Sequence, residues 1–139
     1  LITSPLQAAA EEFFFRGYLQ QAIGSLAGRA WVGVACSALV FAIFHGDQNI
    51  ALFAHRLGFG LIAGTLVWAT GGLEAAIAIH VANNVFAFGY ALFTGGVATL
   101  KATSAISWEA ACSDLASFAV FGALAWWIGR RMHVATLTP

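Results

Sequence analysis

Two adjacent glutamates and an arginine stand among phenylalanines in the stretch AEEFFFRGYL, residues 10–19. Glu12 and Arg16 are four residues apart with the acid on the N-terminal side, so on a helix they stack on one face in the better order for an ion pair. Glu11 lies about 100° round the same helix and points away from the guanidinium. The two carboxylates therefore receive different surroundings. Glu12 is tied to Arg16, and Glu11 is left to face a cavity as a candidate general base. His45 closes the apolar run FAIFH one turn after Phe41, and His80 and Asn84 in IHVANN share a helix face. Antiparallel helices can gather Glu11, His45, His80 and Asn84 round one point. Unsatisfied polar groups at membrane depth cost several kcal/mol each, roughly, unless they bind one another or enclose water. The pattern predicts a small wet pocket inside an apolar bundle.

Each of these residues also has a plainer reading. Glu12–Arg16 reads as a structural pair rather than a catalytic one. Glu11 taken alone fits a buried structural hydrogen bond equally well, and His80 taken alone fits a polar link between helices. Asn83 competes with Asn84 as the inward amide, although the four-residue spacing from His80 favours Asn84. His55 and Arg56 have no partner visible in the sequence, and Arg56 reads as a snorkelling or locally paired cation. Glu74 reads as interfacial, and Asp47 and His133 as solvated.

The elements that position these groups follow from composition. The chain has 139 residues, of which 60% are hydrophobic and 9% charged. A soluble domain carries about 25% charged residues, so the composition predicts an all-α, multi-pass membrane bundle. The six basic and six acidic side chains cancel, which argues against a nucleic-acid partner. Cys36 and Cys112 fit no metal or disulfide framework. The chain opens on Leu1 without a methionine or a basic leader, which predicts a single domain over residues 1–139 that lacks the N-terminal helices of a longer protein.

Five helices are expected: Pro5–Ile23, Trp31–His45, Ile50–Ala69, Leu73–Phe93 and Ser113–Arg130, with Thr94–Cys112 as the longer loop. Ser4 should cap the first, with Pro5 at its first position and Gln7 completing a capping box. The third and fourth are each long enough to cross a bilayer, while the second and fifth must extend into their flanks. Tyr18, Trp31, Trp68, Trp126 and Trp127 fall on one expected membrane face. Arg29, Arg130 and Arg131 on that face against Lys101 on the other would make it cytoplasmic. Gly60 and Gly64 form a GxxxG pair that lets another helix approach closely.

The segments EEFFFR (Glu11, Glu12, Arg16), FAIFH (Phe41, His45) and HVANN (His80, Asn84) together resemble the EExxxR, FxxxH and HxxxN motifs of the CAAX protease and bacteriocin-processing family, the intramembrane glutamic endopeptidases related to the Ras-converting CAAX prenyl protease. The resemblance covers about residues 5–93; Glu74 stands where that family more often has a large apolar residue. It implies that Glu11 and His45 activate the attacking water, that His80 and Asn84 form the oxyanion hole, and that Glu12 and Arg16 support the site, with no metal or other cofactor. It implies as partners the lipid bilayer and a peptide or membrane-protein substrate, whether a prenylated tail or a small secreted peptide, in a bacterial plasma membrane. Two alternatives stand beside it: a divalent-metal hydrolase using the same glutamates and histidines, and a non-proteolytic membrane protein for bacteriocin immunity or peptide binding. The absence of HExxH and the presence of Arg16 beside the carboxylates weigh against the metal, and an intact residue set weighs against the last.

Overall fold

A computed structural model of the chain describes residues 3–94 and 104–133, and these are helical with short connections. Lys101, used above for orientation, lies outside the described residues. The first rod comprises α1 (Thr3–Glu12), a π-helical stretch (Phe13–Leu19) and α2 (Gln20–Ala27), which follow one another without a break. It ends where Gly28 takes a positive φ of 64°, a left-handed stop that glycine adopts without penalty. Then come α3 (Ala30–Ile43), α4 (Ile50–Thr70), α5 (Glu74–Thr94) and α6 (Trp108–Arg131).

Four boundaries differ from expectation, the first being the end of the opening rod, which runs on to Ala27 instead of stopping at Ile23. Ser4 is not an N-cap: it sits inside α1, buried, and its hydroxyl has no hydrogen-bond partner. Gln7 reaches forward instead of back, its Nε2 donating to Glu11 Oε1 across 3.0 Å. α6 begins five residues earlier than Ser113, because Ser107 caps it by accepting from the Ala110 N–H at 3.1 Å. Extended in this way, α6 has 24 residues and joins α4 and α5 as the three described helices long and apolar enough to cross a membrane. The shorter α3 ends at Ile43, so His45 lies in the turn that follows it rather than on the helix.

α4 is the central element. It packs most extensively against α3 and then α6, while α1 lies along α5. The GxxxG pair explains the first contact: a Cβ on Gly60 would stand 2.9 Å from Ala38 Cα, and one on Gly64 would stand 3.1 Å from Val34 Cγ1 of α3 as well as 2.7 Å from Gln20 Oε1 of α2. Small residues are what allow such backbones to approach in an apolar medium. Four phenylalanines thread the core through the helices, with ring centroids 5.1 Å apart for Phe15–Phe41, 5.8 Å for Phe41–Phe59 and 5.2 Å for Phe59–Phe118. The edge-to-face pairs in this chain are a favoured aromatic geometry. Trp31, Trp68, Trp126 and Trp127 are all exposed.

The π-helical stretch follows directly on the two glutamates. A π turn shifts the register of every side chain after it and leaves backbone acceptors misaligned. Here the Phe15 carbonyl accepts both the Gln20 N–H and the Ser37 hydroxyl of α3, the latter at 2.6 Å. Gln20 then crosses to α4, donating to the Gly64 carbonyl at 3.1 Å. The first rod is thus fixed in rotation by two polar bonds to two different helices.

Candidate active site

Glu12 and Arg16 form the ion pair that their spacing predicts, at 2.9 Å, with both side chains fully buried. A buried guanidinium needs its remaining surface covered, and aromatic faces do this: its centre lies 4.6 Å from the Phe41 ring centroid and 5.6 Å from that of Phe59. Such cation–π contacts strengthen when water is excluded. Glu12 is more than half of a pair, however. Its Oε1 also accepts from His80 Nδ1 at 2.7 Å, joining residues 68 apart in the chain. The sequence offered no signal for that bond, since the four-residue periodicity reports only neighbours on one helix.

Glu11 faces the other side of the same imidazole. Its Oε2 stands 3.7 Å from His80 Nε2, while its Oε1 is held by Gln7. Its side chain is 24% exposed against complete burial for Glu12. The neighbouring carboxylates do receive different surroundings, and His80 lies between them.

His45 reaches the cluster from the α3–α4 turn. Its Nδ1 lies 2.7 Å from the Phe41 carbonyl; a carbonyl can only accept, so Nδ1 carries the hydrogen, and Nε2 of the neutral ring keeps its lone pair. The Phe41 ring packs against His45 at a centroid distance of 4.5 Å and against His80 at 6.0 Å. One phenylalanine therefore orients the His45 ring, covers Arg16 and spaces the two histidines. Glu11 and His80 both lie within electrostatic reach of His45. Burial, the largest cause, holds the His45 imidazole below its ordinary value of 6.5, partly offset by the bond to Phe41.

His45 and His80 line a cavity of about 280 Å³ whose walls also include Asn83 and Asn84, whereas the Glu11 carboxylate, expected to face it, stands against His80 outside that lining. Asn83 Nδ2 donates to Asn84 Oδ1 at 3.2 Å. Asn84 then has an acceptor that is occupied and an amide N–H pair with no partner among the described residues. Asn83 buttresses, and Asn84 is left to donate.

Three further polar residues line this cavity that the sequence did not assign to it: His55, Arg56 and Asp114. His55 Nε2 lies 3.4 Å from Asp114 Oδ2, linking α4 to α6. Their separation in sequence and the apolar run round each hide that pairing. Asn49 contributes to the same end. It caps α4 by accepting from the Leu52 N–H at 2.9 Å, and its Nδ2 donates to the Ile106 carbonyl at 2.9 Å. Among the described residues no three His, Cys, Asp or Glu side chains are grouped so as to hold a metal ion.

Chemically, the arrangement offers a neutral imidazole lone pair on His45 and the nitrogens of His80 and Asn84 round one cavity, with a partly exposed carboxylate against His80. Residues 1–86, which hold Glu11, Glu12, Arg16, His45, His80 and Asn84, match the family described as type II CAAX prenyl endopeptidase Rce1-like. A Bacillus subtilis (strain 168) protein named Uncharacterized protein YyaK is 35% identical over 92 residues, covering 62% of this chain and 31% of that protein. The chain thus spans less than a third of that relative's length. No solved structure matches it.

Proposed function

The chain belongs to the Rce1-like family of type II CAAX prenyl endopeptidases, and from that membership and the site's geometry we propose that it is a glutamic-type endopeptidase acting within the membrane. The observation that carries this reading is the meeting of His45, His80 and Asn84 on one cavity with Glu11 against His80. A water molecule seated between Glu11 and the His45 Nε2 loses a proton to the carboxylate as its oxygen attacks the scissile carbonyl carbon. The electron pair of the C=O bond moves onto oxygen, and the amide of Asn84 with the ring N–H of His80 receives that negative charge. When the tetrahedral intermediate collapses, the C–N bond breaks and the proton held by Glu11 passes to the departing amine. No covalent acyl-enzyme is formed, and no serine or cysteine nucleophile is required.

With Nδ1 donating to Glu12, His80 can also donate to the oxyanion through Nε2 only as the doubly protonated ring, a form in which Glu11 and Glu12 would balance His80 and Arg16 without net charge. This gives Glu12 and Arg16 their supporting part: they hold the imidazole's orientation and its charge. The substrate is a peptide or a membrane-protein segment able to enter the bilayer, either a prenylated tail or a small secreted peptide, and the membrane is a bacterial plasma membrane.

The test is cleavage by the reconstituted full-length protein, read as peptide products in membranes carrying the wild type or the Glu11→Gln form. Products that depend on Glu11, and that persist in a chelator, are expected. Equal cleavage by the Glu11→Gln protein refutes the role assigned to this carboxylate.

A further inference from the structure

The turn that carries His45, residues 44–49, is short and contains a glycine with positive φ, Gly46 at 75°. Such a turn does not fix a side chain by itself, and His45 stands just beyond the end of α3 where helical geometry no longer constrains it. Something must hold it, because a displacement of about 1 Å at a reacting group can cost a hundredfold in rate.

Two residues without an assigned role close across this turn. Gln48 Nε2 donates to the Ala42 carbonyl at 2.7 Å, the same last-turn acceptor of α3 that takes the His45 N–H at 3.4 Å. Arg56, from α4, donates through Nη1 to Gln48 Oε1 at 2.7 Å and to the carbonyl of His45 itself at 3.3 Å. The result is a closed circuit from the end of α3 through Gln48 and Arg56 back to His45. An arginine that merely snorkels sends its guanidinium toward headgroups. This one points back into the turn and lines the cavity, and among the described residues no carboxylate pairs with it.

We propose that Gln48 and Arg56 form a clamp that positions His45, with Arg56 as a positioning residue of the hydrolytic site. The inference rests on the endopeptidase reading for its kinetic consequence and on the hydrogen bonds alone for its structural one. The clamp fixes the backbone of His45 from one side while the Phe41 carbonyl fixes its ring from the other. The guanidinium charge has a second effect. After burial, it works against a second proton on His45, with His80 from α5 acting in the same direction and Glu11 from α1 opposing. Arg56 thereby helps keep the Nε2 lone pair available.

The experiment uses full-length protein in lipid nanodiscs, as wild type, Arg56→Gln, Arg56→Lys and Gln48→Ala, each confirmed folded by circular dichroism and gel filtration. Hydrolysis is measured against pH, and the His45 imidazole is titrated directly by nitrogen NMR. Arg56→Gln is expected to lower kcat about tenfold or more with KM changed less than twofold, and to move the His45 titration to higher pH. Arg56→Lys restores the charge, returning the titration toward the wild-type position and recovering part of kcat. Gln48→Ala lowers kcat with a smaller displacement of the titration. A folded Arg56→Gln protein with unchanged kcat and an unmoved His45 titration overturns the proposal, as does a loss confined to KM. Absence of Glu11-dependent hydrolysis in the wild type defeats the endopeptidase reading instead, and the NMR titration then decides the clamp by itself.

Discussion

His80 Nδ1 donates to Glu12 Oε1 across 2.7 Å, and the same carboxylate oxygen takes Arg16 Nη1 at 2.9 Å. A carboxylate read as one half of a local pair is thus the joint between α1, the π-helical stretch and α5. Removing it alone is far worse than removing the group it neutralises along with it.

Glu12→Gln leaves the Arg16 guanidinium buried without its counter-charge and should destabilise the bundle by about 3–5 kcal/mol. Adding Arg16→Met to that variant removes the stranded cation, keeps an amide oxygen opposite His80, and should recover part of the loss. Midpoints of thermal or detergent-induced unfolding for the wild type, the single and the double variant measure the difference. A double variant less stable than the single one contradicts the account.

Asn84→Ala should cut kcat by two to three orders of magnitude, roughly the value of one oxyanion donor, with little change in KM. Asn83→Ala removes only the buttress and should cost less. Steady-state kinetics on both variants separate the donor from its support, and equal losses would show that the two amides act interchangeably.

Gly60→Leu forces a branched side chain into Ala38, whose Cα already stands 2.9 Å from where a Cβ would begin. Overpacking of this kind costs about 1–3 kcal/mol or more. Gly129→Leu, at a site where no neighbour lies within 4 Å, serves as the control and should be close to neutral. Unfolding midpoints that fall equally for both would place the α3–α4 contact elsewhere.

Asp114→Asn should change stability by less than about 1 kcal/mol, because its side chain is 52% exposed and 3.4 Å from His55 Nε2, and exposed ion pairs contribute little. The measurement is again the unfolding midpoint, and a large drop would mean that this pair fastens α6 to the bundle.

The sequence made the local relationships readable and left the long-range ones hidden. Glu12–Arg16, the shared face of His80 and Asn84, and the close approach at Gly60 and Gly64 all follow from helical spacing, which composition alone justified assuming. The bond from Glu12 to His80, the cover that Phe41 and Phe59 give Arg16, and the meeting of His55 with Asp114 depend on how separate helices rotate against each other. The π-helical stretch sets part of that rotation, and a run of phenylalanines carries no visible mark of it. The apolar run puts His45 at the end of its helix, whereas Ile43 is the last helical residue. Two residues of difference move it onto a turn and give Gln48 and Arg56 a purpose that their types did not reveal.

The glycine-lined seam between α3 and α4 also bears on traffic. With backbone nearly touching backbone at Gly60 and Ala38, neither an acyl tail nor a polypeptide can slip between those two rods. Whatever reaches His45 and Asn84 from the surrounding lipid must come through a different gap, so crosslinkers set along α5 and α6 should catch arriving molecules where those set along this seam stay silent.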